Sequence, residues 1–266
     1  MDLQRWLLVV SAALAVSLAT AVPALPAAKG CGPRGYAYTG LESRSDAFGV
    51  AATLTAAASP LVERGHVAGW IGVGAPGEGP HGADEWLQVG LNTVAGNSGK
   101  LYYEVAQPWG IRYVELASNV AAGRRYHVAV LEMAGRTSVW RVWVNGRPAS
   151  RPIWLPQSHG TLTPMAMAES WDGGEPACNR YEYRFGGVSL AGNPGGSWTR
   201  FRRAAARVIQ DHGSRIVPAR DGFVAITTLA PPARIQPAEP LRPTERAPSA
   251  TTAPAPAPVQ PRDLEP

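Results

Sequence analysis

Cysteine and lysine are both scarce, with two of each in 266 residues. Two cysteines exclude a disulfide-dense miniature scaffold and a four-cysteine zinc site, and neither C-x-x-C nor H-E-x-x-H occurs. A G-x-S-x-G elbow is missing too, and the neighbouring Ser158 and His159 diverge as adjacent side chains do, so a serine hydrolase is not expected. Histidines 66, 81, 127, 159 and 212 show no i, i+2 or i, i+4 pairing, and they are read as structural or exposed. No metal and no cofactor is expected.

Charged residues make up only 17% of the chain, and the formal net charge of +5 is unevenly placed. Residues 22–196 carry fourteen bases and thirteen acids, whereas 197–220 hold six Arg and one Asp. The main body is nearly neutral, which argues against nucleic acid as a partner. A basic patch belongs to one short segment.

Residues Trp6 to Leu25 carry no charge, Arg5 precedes them, and Ala19-Thr20-Ala21 offers the small-x-small pattern of a signal peptidase site. The reading is a bacterial secreted protein, cleaved after Ala21, with an uncleaved anchor as the competing possibility. In an oxidising compartment Cys31 and Cys178 are expected to pair, the alternative being lipidation of Cys31.

From Gly35 to Ala191 short alternating or apolar runs are punctuated by Gly, Pro and Asn, the pattern of an antiparallel β protein. Ten strands are predicted: Gly49 to Ala56, His66 to Val73, Glu85 to Asn92, Leu101 to Gln107, Tyr113 to Ala117, Arg125 to Met133, Ser138 to Val144, Ile153 to Leu155, Pro164 to Ser170 and Arg180 to Leu190. Asn145-Gly146 marks a type I′ hairpin, because both residues tolerate positive φ. The fold expected is an all-β jelly-roll sandwich of two antiparallel sheets.

The predicted organisation is a signal peptide at 1–21, a linker at 22–34, the sandwich at 35–192, an appendage at 193–230 and a Pro/Ala-rich disordered tail at 231–266. Within the appendage, Phe201, Ala204, Ala205, Val208 and Ile209 fall at helical spacing. Their pattern predicts a short helix with Arg200, Arg202, Arg203 and Arg207 on its outer face, able to touch an anionic envelope weakly. Phe223 to Leu229 is read as one more strand, and the protein as a monomer.

On a strand, Trp86, Gln88 and Gly90 share one face while Leu87, Val89 and Leu91 share the other. The apolar face belongs in a core, leaving a Gln beside a Trp in a groove for an extended or polar ligand. The segments Leu101 to Val105 and Met165 to Trp171 likewise place one carboxylate each, Glu104 and Glu169, among apolar neighbours.

These stretches, Trp70-Ile71-Gly72, Leu87-Gln88-Val89-Gly90, Tyr103-Glu104 with Pro108, and Ala168-Glu169-Ser170, resemble in order the motifs of the glutamic peptidase (eqolisin) family. That family folds as a concanavalin A-like β-sandwich. The resemblance implies an acid endopeptidase with Gln88 and Glu169 as catalytic dyad. Glu169 would take a proton from a water attacking the scissile carbonyl, and the Gln88 amide would stabilise the oxyanion. It also implies that Trp70, Trp86, Tyr103 and Glu104 line the groove for a polypeptide substrate, and that activity peaks in acid.

Two other readings keep the fold. Seven of the nine Trp lie between 70 and 171, and exposed aromatics on a concave sheet suit a non-catalytic module binding cell-envelope glycan. Alternatively the Trp residues are core, as expected of Trp140 or Trp143 on an alternating strand, in a structural envelope protein. A glycosidase is disfavoured because Glu169 and Asp172, three apart, fall on opposite faces of a strand.

Overall fold

The computed structural model describes residues 35–171, 178–211 and 213–227. In chain order its strands are β1 (Tyr36–Ser43), β2 (Gly49–Ala56), β3 (Leu61–Val62), β4 (His66–Ala75), β5 (Glu85–Val94), β6 (Gly99–Gln107), β7 (Gly110–Val120), β8 (Arg125–Glu132) and β9 (Val139–Val144). They continue with β10 (Arg147–Pro148), β11 (Ile153–Trp154), β12 (Pro164–Trp171), β13 (Asn179–Arg180), β14 (Glu182–Ala191), β15 (Trp198–Arg200), β16 (Ala206–Gln210), β17 (Ser214–Ala219) and β18 (Gly222–Thr227). Among the described residues the helical content is two three-residue 3-10 turns, Pro80–Gly82 and Arg203–Ala205.

One sheet runs β16-β1-β12-β4-β5-β6-β7. The other runs β10-β9-β8-β2-β14-β18-β17, with β11 beside β9 and β15 beside β14. Every pairing is antiparallel, as the short alternating runs predict. The core lies between the sheets. Val67, Ile71 and Val73 of β4 and Leu87, Val89 and Leu91 of β5 meet Val50 and Leu54 of β2, Val128 and Val130 of β8 and Phe185 of β14. Each such side chain contributes about 1.5–3 kcal/mol on burial. Trp140 is fully buried among them, so the core reading of that Trp holds.

All ten predicted strands are present, and β18 forms close to where a strand was expected at Phe223 to Leu229. The Asn145-Gly146 turn has φ of 50° and 75°, the positive pair a type I′ hairpin requires, and it returns the chain into β10.

The helix predicted over Phe201 to Ile209 does not form. Residues 203–205 make one 3-10 turn and 206–210 form β16, an edge strand paired with β1 through Gly40↔Ile209 and Leu41↔Val208. The spacing of 201, 204, 205, 208 and 209 suited a helix, but Ala206 and Val208 also alternate with Arg207 and Ile209. β1 offers an edge of unpaired backbone groups, and Val208 and Ile209 are β-branched, so pairing overrides the weak helical signal. The segment expected as an appendage also supplies β15, β17 and β18 to the second sheet, so it is woven into the sandwich.

Cys178 is buried just before β13. Its expected partner Cys31 lies outside the described residues, as do the signal segment 1–21, the linker 22–34 and the tail 231–266.

Candidate active site

The outer face of the seven-stranded sheet carries the candidate site. A period of two sends Leu87, Val89 and Leu91 inward and leaves Trp86, Gln88 and Gly90 outward. The same rule on β12 buries Ala166 and Ala168 in the core and turns Met165, Met167 and Glu169 to the outer face. On β4 it turns out His66, Ala68 and Trp70. Gln88 and Glu169 therefore line one open groove, whose volume is about 640 Å³.

Its floor is a second apolar cluster of Ala68, Trp70, Tyr102 and Met167, with Tyr38, Tyr113, Met165 and Ile209 packed against it. Registers fix how the polar groups lie over it. Glu169 stands opposite Ala68 on β4, which stands opposite Asn92 on β5. Gln88 pairs with Gly72, four residues further along β4. Trp70 occupies the row between them.

The indole Nε1 of Trp70 donates to Glu169 Oε2 at 2.8 Å, and His66 Nε2 lies 3.2 Å from Oε1. Both oxygens of this buried carboxylate are thus engaged, as burying a charge requires. His66 is in turn held by aromatic contacts, stacked on Trp171 at 5.7 Å and edge-on to Tyr36 at 6.1 Å. Gln88 Nε2 donates to the Tyr102 hydroxyl at 3.2 Å, which uses one of its two amide protons. Tyr102 stacks on Tyr113, and Asn92 Nδ2 donates to the Tyr113 hydroxyl at 3.1 Å. Gln88 and Glu169 do not bond to each other; each is held by its own aromatic partner.

The second carboxylate, Glu104, faces Gln88 directly across the β5–β6 pair and accepts a bond from Trp86 Nε1 at 3.1 Å. Burial pushes its pKa up from the ordinary carboxyl range, as the Glu169 charge does more weakly, while the Trp86 bond and His66 pull it down. Burial also raises the groove phenols Tyr36 and Tyr113, each to about 12.

Of the residues singled out in the sequence, Trp70, Trp86, Gln88, Glu104 and Glu169 all line the groove. Tyr103 does not. It alternates with Tyr102 and Glu104, so its ring points between the sheets and packs in the core. The alternation that places Glu104 in the groove would have selected Tyr102 instead. His66 was also missed, although it lies four residues before Trp70 on the same strand face. Tyr36 and Tyr38 carried no signal, because β1 was not recognised as a strand. Ser158 and His159 do diverge: Ser158 is buried beneath Trp140, whose Nε1 donates to it at 2.6 Å, while His159 reaches Glu132 at 2.8 Å.

No protein-family model matches the chain, and no curated protein matches it. Among solved structures, scytalido-glutamic peptidase with a peptide-based transition-state analogue is similar over 74% of this chain and 100% of its own, with TM-score 0.52 and 12% identity. A second structure of that peptidase, with a transition-state analogue inhibitor, gives TM-score 0.54 at the same identity and coverage. A looser likeness, TM-score 0.32 at 13% identity, covers 58% of this chain and 80% of a carbohydrate-binding module from Bacillus subtilis. The chain therefore shares the β-sandwich fold of a glutamic peptidase.

Proposed function

We propose that the groove is the substrate cleft of an exported acid endopeptidase, in which Glu169 activates water and the Gln88 amide stabilises the oxyanion. The observation that carries this reading is the presentation of both side chains on one face of one sheet, in one open groove with an apolar floor. The two groups come from strands that are not sequence neighbours, β5 and β12, with β4 between them.

An extended polypeptide suits the site chemically. Met165, Met167 and Tyr38 offer apolar contact, and the second Gln88 N–H is available to an oxygen in the cleft. Trp70 holds Glu169 in place and shields it from bulk water. Two N–H donors on the carboxylate leave lone pairs for a bound water, since an ionised carboxylate accepts about four bonds. Preorganised amide donors of this kind contribute on the order of 100-fold or more to acyl transfer.

The experiment is digestion of an unfolded protein at about pH 3 to 4, the acid range in which a carboxylate base is expected to work. Glu169→Gln should abolish cleavage with little loss of fold. Cleavage untouched by that change would move the chemistry elsewhere. The alternative, a cleft that holds cell-envelope glycan without reacting, is favoured by the groove aromatics Trp70, Trp86 and Tyr36; it predicts glycan retention by wild type and Glu169→Gln alike and no proteolysis. The exposed Arg200, Arg202 and Arg203 are proposed to aid contact with an anionic envelope.

A further inference from the structure

Glu104 is a carboxyl group in the groove to which the Gln88/Glu169 chemistry assigns no step. It stands directly opposite Gln88, and one of its oxygens is fixed by Trp86 Nε1. Its surroundings differ from those of Glu169. Glu169 receives an indole N–H and a histidine nitrogen, whereas Glu104 receives one indole N–H and is flanked by phenols. Tyr102 is its neighbour on the groove face of β6, Tyr113 is its register partner on β7, and both feel its charge, as Tyr36 and Tyr38 of β1 do. Lys100 and Arg207 line the same groove but are each occupied by another carboxylate, Glu115 at 2.7 Å and Glu42 at 2.6 Å. Burial raises the Glu104 pKa, and the Glu169 charge adds to this against the opposing pull of Trp86 and His66. Two carboxyl groups in one cleft with unlike surroundings are the arrangement by which an acid and a base are held apart.

We propose that Glu104 is a catalytic general acid that works with the base Glu169, protonating the scissile carbonyl oxygen as water attacks. This rests on the peptidase reading above. Glu169 takes a proton from water, the water oxygen bonds to the carbonyl carbon, and the π pair moves to the carbonyl oxygen. That oxygen receives the Glu104 proton, with the Gln88 N–H bonded beside it. When the C–N bond breaks, nitrogen takes the proton held by Glu169, and one diol hydroxyl returns its proton to Glu104 as the carboxylic acid product forms. Each carboxyl ends as it began.

The test is a pH–rate profile on a quenched-fluorescence peptide with the full chain, its Glu104→Gln and Glu104→Asp variants, and Glu169→Gln. Wild type should give a bell, because the base must be ionised and the acid protonated. Glu104→Gln should lower kcat about 100-fold or more, leave KM within a few-fold and remove the alkaline limb. Glu104→Asp keeps a carboxyl and should retain that limb at reduced kcat, so it serves as the second variant where Glu104→Gln fails to fold. A Glu104→Gln enzyme within threefold of wild-type kcat, or an Asp variant without the limb, overturns the proposal while the peptidase reading survives. A wild type that cleaves nothing overturns both.

Discussion

His66 and Glu169 meet across the β4–β12 pair, with Nε2 3.2 Å from Oε1, on the same face as Gln88, whose register partner lies four residues along β4 from that of Glu169. With the 2.8 Å bond from Trp70 this contact completes the support of a buried carboxylate. Trp70→Phe keeps the ring packing of the floor but removes the Oε2 donor. It should cost about 1–3 kcal/mol in a denaturant melt, the range for leaving a buried acceptor unsatisfied, and should lower kcat by more than it raises KM. His66→Ala should show the same pattern through Oε1. Unchanged melts for both would mean that water satisfies the carboxylate without them.

A methyl at Gly90 would meet Gly69 O and Trp70 Cβ, each at 2.5 Å. The obstruction is backbone and the root of a packed indole, so it cannot swing aside. Gly90→Ala should destabilise the fold by about 1–3 kcal/mol and, by pushing Trp70 off Glu169, depress kcat in the same variant. Stability lost at full kcat would separate the glycine from the site.

Glu85, at the start of β5, is almost wholly buried, its Oε1 finds no partner, and burial pushes its pKa up to about 7. A carboxyl that binds its proton more tightly when folded stabilises the fold fully below its unfolded value, ordinarily about 4.3. That stability is lost as pH rises toward about 7. The midpoint of thermal unfolding should therefore fall between pH 4 and pH 8. Glu85→Gln, neutral throughout, should flatten that decline; equal slopes for both proteins would assign the pH dependence elsewhere. The sign agrees with the acid activity proposed above.

Much of this was written in local pattern. The alternation around Gln88 fixed which side of β5 enters the core, because a strand's side-chain period of two leaves no other assignment for Leu87, Val89 and Leu91. Asn145-Gly146 fixed a hairpin for the same kind of local reason. Tyr103 was assigned to the groove against that rule, and the rule held. Other features depend on partners far away in the chain. Residues 206–210 became β16 because β1 offered them an edge to pair with, which the apolar spacing of that segment cannot reveal. The meeting of Glu169 with His66 and Trp70, residues about one hundred positions apart, and the shared groove of Glu104 and Glu169 follow from the strand order β12-β4-β5-β6. Sequence determined which face each side chain takes; the order and register of the strands decided which side chains share that face, because pairing between distant strands is set by burial of the whole sheet.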